Sequence, residues 1–325
     1  MAGYKDSLAN LPETKKFVEE VLEKEPNLKN IFLLGTGGTY SYALPYAFFG
    51  KQLSDFPVYA EIAPEIYSMN NKHLGADSLC VFCSATGNTK DILKAMDYTH
   101  SKGARNLAFV SVEGSPMEPK ADYIKVVDGG SIHFNLAMLL LTLKAFNRAG
   151  DFPKYEEFAN SIGGIGQYLD DARALTNSRC IYHAARNAFA DFHYVVGAGA
   201  TYGEAYCYGM CIMEEMQWMR TKIIHAAEFF HGAIELCEKD TPCILLKGED
   251  AGRDLVTRVE NFLKPLTDEV LVMDSKEVAL PCADEFRYLL SPVVVNCMIS
   301  PLSKALEVER NHSLKVRRYY RQMEY

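Results

Sequence analysis

Apolar residues in this chain fall in short unbroken runs rather than in alternation with polar ones. Asn30 to Leu34, Val58 to Ile62, Leu79 to Cys83, Asn106 to Val112 and Tyr123 to Val127 read as strands. Runs without alternation are buried on both faces, as in a parallel sheet covered by helices. Segments with helical spacing separate them: Leu11 to Glu25, closed near Pro26, then a helix from about Thr39 and a short segment beginning at Pro64. Lys90 to Ser101 and the apolar stretch His133 to Arg148 follow in the same way. In the second half Val195 to Gly197, Thr241 to Leu246 and Glu269 to Met273 repeat the strands. Between the halves, Tyr155 to Ala190 reads as helix, interrupted at Gly163-Gly164 and Gly166. The pattern predicts an α/β protein.

The halves also share letters. Ile31 to Phe49 reads IFLLGTGGTYSYALPYAFF, and His193 to Cys211 reads HYVVGAGATYGEAYCYGMC. Gly35, Gly37, Thr39, Tyr40, Ala43 and Tyr46 recur as Gly197, Gly199, Thr201, Tyr202, Ala205 and Tyr208. The correspondence continues from Ala63-Pro64-Glu65 to Ala226-Ala227-Glu228, and from the strand ending Cys83 to the one ending Leu246. A strand, a Gly-rich turn and a helix thus open each of two copies.

A net charge of −8, from 34 basic and 42 acidic side chains, argues against a nucleic-acid partner. The first residues, MAGYKDSLANLPETKK, lack a secretory pattern, and Phe134 to Leu143, the longest nearly uncharged apolar stretch, is too short to span a membrane. A cytoplasmic protein without a membrane partner is expected. The nine cysteines sit in apolar segments, as reduced core residues do. Cys80 and Cys83 spell C-x-x-C, but three positions along a strand point the sulfurs to opposite faces. Cys207 and Cys211 have no His or carboxylate cluster around them, so no metal site is expected.

Ser84-Ala85-Thr86-Gly87-Asn88-Thr89 follows a buried strand and opens a helix. Backbone N–H groups, the helix dipole and three hydroxyls there suit a phosphate, while ordinary helix capping by Ser and Thr is the competing explanation. No Gly-Lys-Ser/Thr occurs, so this is not a nucleoside triphosphate loop. Thr39, at the equivalent helix start after the first strand, is a companion hydroxyl. In the second copy Ser84, Thr86 and Thr89 become Lys247, Glu249 and Gly252, and an acid in the cradle repels phosphate. The second copy has Glu214-Glu215 late in an apolar helix, and His231-Gly232 where the first copy has only Ser68-Met69. A Glu and a His presented together supply two proton-transfer groups, whereas His225 reads as a satisfied core residue.

The tandem G-x-G turns, the S-x-T-G-x-T loop and the E…HG pair resemble the sugar isomerase (SIS) family of phosphosugar-binding proteins. The resemblance runs from about Asn30 to Tyr325. It implies two tandem SIS subdomains, each a three-layer α-β-α sandwich around a mainly parallel five-stranded sheet, over residues 1–160 and 161–325. The segment MEEMQWMRTKIIHAAEFFHG and the ending NHSLKVRRYYRQMEY are similar to those of the fructosamine-6-phosphate deglycases. By position, the resemblance puts Ser84, Ala85 (through its backbone), Thr86 and Thr89 on the phosphate loop, with Thr39 beside it. It puts Glu215 on the catalytic glutamate and His231 on the histidine that assists ring opening, which in the family is commonly contributed across a dimer interface. Lys315 falls near the catalytic lysine of the related glucosamine-6-phosphate synthase after a one-residue shift, and His312 is a further candidate. Where that synthase has a glutamate and a lysine before its catalytic Glu, Tyr208 and Ile212 stand here. The chain begins Met1-Ala2, with no nucleophilic cysteine beside the initiator, so ammonia transfer from glutamine is not expected.

The resemblance implies a cofactor-free deglycase acting on a sugar phosphate–amino acid adduct, as a homodimer or higher homo-oligomer with sites at the subunit interface. A pocket shielded by Met213, Trp218 and Phe230 would raise the pKa of the catalytic carboxylate. A phosphosugar isomerase or amino-sugar-phosphate deaminase would use the same loop and Glu. A non-catalytic phosphosugar sensor would keep the loop alone. Arg317, Arg318 and Arg321 are either a solvated basic tail or a binding surface for an amino acid carboxylate.

Overall fold

The structure, a computed structural model, describes residues 3–128 and 130–324. Met1 and Ala2, which bear on the expected lack of a cysteine nucleophile, lie outside the described residues, as do Gly129 and Tyr325. The chain divides into two compact units. One comprises the chain up to Gln167 together with Pro281–Ala283; the other comprises Tyr168–Leu280 and the chain from Asp284 onward. The division therefore falls a few residues beyond the 160/161 position read from the sequence.

In the first unit β1 (Asn30–Gly35), β2 (Val58–Ile62), β3 (Ser78–Ser84), β4 (Arg105–Val110) and β5 (Tyr123–Val126) form one parallel sheet in the order β2-β1-β3-β4-β5. Their apolar residues divide between two faces. Phe32, Leu34, Cys80 and Phe82 pack with Ile66, Ile92, Ala95 and Met96 of helices α3 (Ala63–Met69) and α4 (Lys90–Ser101). On the other side lie α1 (Leu11–Lys24), α2 (Leu44–Leu53) and α5 (Gly130–Ala149). There Tyr46 donates to Asn135 Oδ1 (3.0 Å), and buried His133 is bonded at both ring nitrogens, to Thr14 Oγ1 (2.8 Å) and Asp128 O (2.7 Å). Cys80 belongs to the first face, and Cys83 sits against Tyr46. The thiols do diverge, and burial pushes both well above the ordinary thiol range. None of the nine cysteines forms a disulfide among the described residues.

The second unit repeats the plan with β6 (His193–Gly197), β7 (Thr221–His225), β8 (Cys243–Lys247) and β9 (Val270–Asp274), parallel in the order β7-β6-β8-β9. This sheet has four strands among the described residues, not the expected five. After β9 the chain enters a 3₁₀ turn, Ser275–Glu277, with Asp274 accepting from the Lys276 N–H at its start, and runs on without a further strand to the long helix Arg287–Glu309. Tyr194, Val196, Phe229, Leu245, Val256 and Val259 form its core on one face. The helix over residues 284–309 is apolar and long enough to cross a membrane by composition, longer than the stretch singled out from sequence, yet most of its apolar window is buried in the protein.

The interruption expected at Gly163-Gly164 is a short 3₁₀ turn, Ile162–Gly164, but Gly166 lies inside the helix Ile165–Asn187. It is there for closeness rather than as a breaker: a Cβ at Gly166 would stand 2.5 Å from Tyr4 O. The glycines of the repeated turn have similar reasons. A Cβ on Gly35 would lie 2.4 Å from the Tyr40 nitrogen, and Gly37 and its counterpart Gly199 take φ of 54° and 55°, a region costly for other residues.

Candidate functional site

The loop after β3 is a cradle of hydroxyls at a helix start. Ser84, 5% exposed, accepts at Oγ from the Gly87 N–H (3.0 Å) and so bends the chain back. Gly87 has φ +63°, and a Cβ there would meet Ser115 Cβ at 2.5 Å. Ala85 and Thr86 are exposed, and Thr86 donates to Asn88 Oδ1 (2.6 Å). Thr89 is the N-cap of α4, but no side-chain bond closes that cap. No side chain caps this helix N-terminus among the described residues, which leaves its N–H groups and dipole open to an anion. Two hydroxyls missed in the sequence border the loop: those of Ser111 and Ser115 are buried without a hydrogen-bond partner, and the Ser111 N–H donates to Ala85 O (3.3 Å). Their signal, two serines four apart after a buried strand, is readable only once β4 is known to lie beside β3.

Thr39 has a local duty. Its hydroxyl donates to Thr36 O (3.0 Å) and accepts from the Thr36 N–H (3.1 Å). Thr201 makes the matching pair with Ala198 (3.0 and 3.4 Å).

The corresponding loop of the second copy is filled by its own side chains. Asp250, 6% exposed, accepts at Oδ1 from the N–H groups of Gly252 (2.8 Å) and Ala200 (3.4 Å). Burial raises its carboxyl above the usual range. Glu249, the acid expected to repel phosphate, instead grips Arg287 through two bonds of 2.9 Å. Lys247 is tied to Glu260 (2.8 Å).

The second copy places its acid differently. Tyr202–Cys207 is an α-helix that passes into a π-helix, Tyr208–Glu214, and Glu215 follows directly. In the first copy Gly35 pairs with Ile62, 27 positions on; in the second Gly197 pairs with His225, 28 positions on. The π-helix, with its i→i+5 bonds, takes up that one extra residue. The adjacent glutamates consequently face different ways. Glu214 is exposed and accepts from Thr221 Oγ1 (2.5 Å), while Glu215 Oε1 accepts from Arg317 Nε (2.8 Å). Trp218, at φ +54°, ends this segment and holds the C-terminal tail, with His312 against its ring (4.4 Å) and the Arg318 guanidinium over its face (4.1 Å). Gln217 Nε2 donates to His312 O (2.8 Å), and Lys315 is exposed.

Of the expected shield, Met213 is fully buried, Trp218 is occupied by the tail, and Phe230 packs on Phe229 and Phe262 beneath Arg258. The neighbour that the structure gives Glu215 is a guanidinium. His231 lies in the turn after β7 with its side chain exposed. Among the described residues no hydrogen bond or ion pair joins it to Glu215. Glu215 precedes β7 and His231 follows it, so a five-residue strand roughly 16 Å long separates them. Tyr208, where the related synthase has a glutamate, is buried and accepts from Ser303 Oγ (3.2 Å). One acid escaped notice in the sequence: Glu204 is buried, accepts from Asn296 Nδ2 (2.7 Å), and is pushed well above the carboxylate range by desolvation.

The SIS domain family matches residues 27–146. The fructosamine deglycase of Bacillus subtilis is 30% identical over 96% of this chain and 97% of its own length. The fructoselysine 6-phosphate deglycase of Escherichia coli is 24% identical over 96% of this chain and 90% of its own. A crystal structure from Bacillus subtilis, described as a phosphosugar isomerase, superposes with a TM-score of 0.90 at 27% identity, covering 97% of this chain and all of that one.

Proposed function

The chain belongs to the family of SIS-domain fructosamine deglycases, which are enzymes, and on that premise we propose that it hydrolyses a fructose–amino acid 6-phosphate of the fructoselysine kind. The products are glucose 6-phosphate and the free amino acid. The observation that carries the reading is the contrast between the two loops: the one after Ser84 presents hydroxyls and no carboxylate, while in its counterpart the buried Asp250 carboxylate takes the N–H groups of Gly252 and Ala200.

Ser84, the Ala85 backbone, Thr86 and Thr89 hold the phosphate, which fixes the sugar relative to the base and removes most of its freedom before reaction. Thr39, Lys315 and His312 are further candidates for contact with the bound adduct. His231 moves the proton of the anomeric hydroxyl and opens the ring. Glu215 then takes a proton from C1; the electron pair forms a C1–C2 double bond, and the C2 carbonyl becomes the hydroxyl of an enaminol. Return of a proton to C2 leaves the double bond between C1 and nitrogen. Water adds to this imine, and the C1–N bond breaks to give aldehyde and amine. The substrate's own carbonyl and nitrogen carry the electrons, so the scheme uses no cofactor or metal.

A homodimer is part of the proposal. The separation of Glu215 and His231 along β7 favours a His231 supplied by a second copy. The protein would work in the cytoplasm. The test is a coupled assay for glucose 6-phosphate release over a panel of ketosamine 6-phosphates, with fructose and glucosamine 6-phosphates alongside. Release from an adduct with stoichiometric free amino acid supports the deglycase. Turnover of a plain phosphosugar alone would transfer the assignment to an isomerase or deaminase, and binding without turnover to a sensor.

A further inference from the structure

Arg317 has no part in the scheme above, yet among the described residues it is the charged group bonded to Glu215. We propose that Arg317 is a positioning residue: it holds the Glu215 carboxylate in the one orientation from which the C1 proton is reached. The inference rests on the reading of Glu215 as the base.

The geometry supports it at each joint. Arg317 Nε donates to Glu215 Oε1 at 2.8 Å, and the two side chains are only 16% and 26% exposed. This is not the open surface pair whose worth is close to nothing. The guanidinium is itself immobilised, because Nη1 donates to Leu314 O (2.7 Å) and Val316 O (2.9 Å). A planar fork engaged on several edges has little freedom left to swing. The tail bearing it is fastened to the segment that carries the base: His312 O accepts from Gln217, the Arg318 guanidinium lies over Trp218, and Arg310 donates to Gln217 O (3.3 Å). Leu314 N–H adds a bond to Glu307 Oε1 (3.0 Å). Residues 215–218 and 310–318 therefore hold each other. Only Oε1 of Glu215 takes part; Oε2 receives no bond among the described residues and stands available to a substrate proton. An unheld glutamate samples several staggered rotamers, and a base displaced by an ångström loses about 10²-fold in rate.

The experiment uses the full chain with Arg317→Met, Arg317→Lys, Glu215→Gln and the Met/Gln double variant. It measures kcat and KM for amino acid release, and separately solvent-deuterium exchange at C1 of the sugar phosphate, with melting curves to establish folding. Arg317→Met should lower kcat about 10²-fold, with KM little changed, since an interaction made through the base acts on the chemical step. Arg317→Lys and added methylguanidine should each restore part of that loss. On the Glu215→Gln background, Arg317→Met should cost nothing further, because residues acting as one unit are not additive. The inference is overturned if kcat is retained, if KM alone rises (Arg317 then touches substrate), or if the two losses multiply. If Arg317→Met does not fold, the same cycle is run with Arg317→Lys, where a severalfold loss of kcat is expected and an unchanged kcat overturns the inference. Wild-type exchange at C1 without amino acid release refutes the deglycase and leaves Arg317 to be judged by exchange. Wild type with neither exchange nor amino acid release refutes both.

Discussion

The loop after β3 and the loop after β8 occupy the same place in two copies of one fold, and they answer the same physical demand in opposite ways. A helix start directs unsatisfied N–H groups and a positive dipole end outward. In the first copy Thr89 leaves the cap open, and hydroxyls stand around it. In the second, Asp250 turns its carboxylate inward onto two backbone N–H groups, and Arg287 neutralises Glu249. The N–H groups of such a loop can thus be taken up from within, with strands and turn left as they were.

That contrast can be pressed in several places. The largest effect belongs to the acid. Beyond the π-helix, the 163-residue offset matches Glu215 with Gln52, so Glu215→Gln makes the second copy resemble the first. Turnover should fall roughly 10²- to 10⁴-fold, with the melting temperature nearly unchanged; full retained activity would remove Glu215 from the mechanism.

Acid should next separate the units. In the second, His183 and His193 are buried and neutral, desolvation drawing each down to about 4, and each keeps one ring nitrogen unpartnered. An unfolded histidine binds its proton near 6.5, so between about 6.5 and 4 the unfolded chain holds more protons and stability falls with falling pH. The full loss is on the order of 3 kcal/mol per histidine. Trp218, the single tryptophan, lies in this unit and reports it by fluorescence in urea titrations at pH 7, 6 and 5. His193→Asn should flatten the dependence.

A smaller change follows at the open loop. Thr86→Val removes one hydroxyl from a charged ligand, worth about 1.5–3 kcal/mol, or roughly a 10- to 100-fold fall in kcat/KM. The fall should be carried mostly by KM and accompanied by weaker protection from melting by inorganic phosphate. Smallest is the closed loop: Asp250→Ala should leave kcat and KM alone and lower the melting temperature by about 2–4 °C, because only two backbone bonds are lost. A changed KM there would mean that the second loop also binds substrate.

The strands and most helices were legible because buried parallel strands are continuous apolar runs, a signal local to five or six residues. Gly166 misled because its reason is the approach of Tyr4, more than a hundred residues away in sequence. The second sheet lacks the expected fifth strand because the chain after β9 turns at once into the 3₁₀ segment Ser275–Glu277. Within the candidate site, the Ser84–Thr89 loop could be read since all its parts are consecutive. The partner of Glu215 could not, for Arg317 lies 102 positions away and basic tails are usually solvated. Asp250 was hidden by its neighbour: Glu249 is the charge opposite Thr86, while the residue beside it takes the N–H groups of Gly252 and Ala200.

The π-helix before Glu215 bears on how the two copies parted. One residue rotates a helix by about 100°, so a chain lacking the extra residue would present Glu214 where Glu215 now stands and turn the following acid elsewhere. At this position the two copies differ by one residue in spacing and by Glu215 against Gln52. Because π-bulges cost the ladder only a local distortion, such an insertion is tolerated by the sheet and the core on either side. A one-residue difference in spacing is thus enough to change which of two neighbouring acids this segment turns toward the tail.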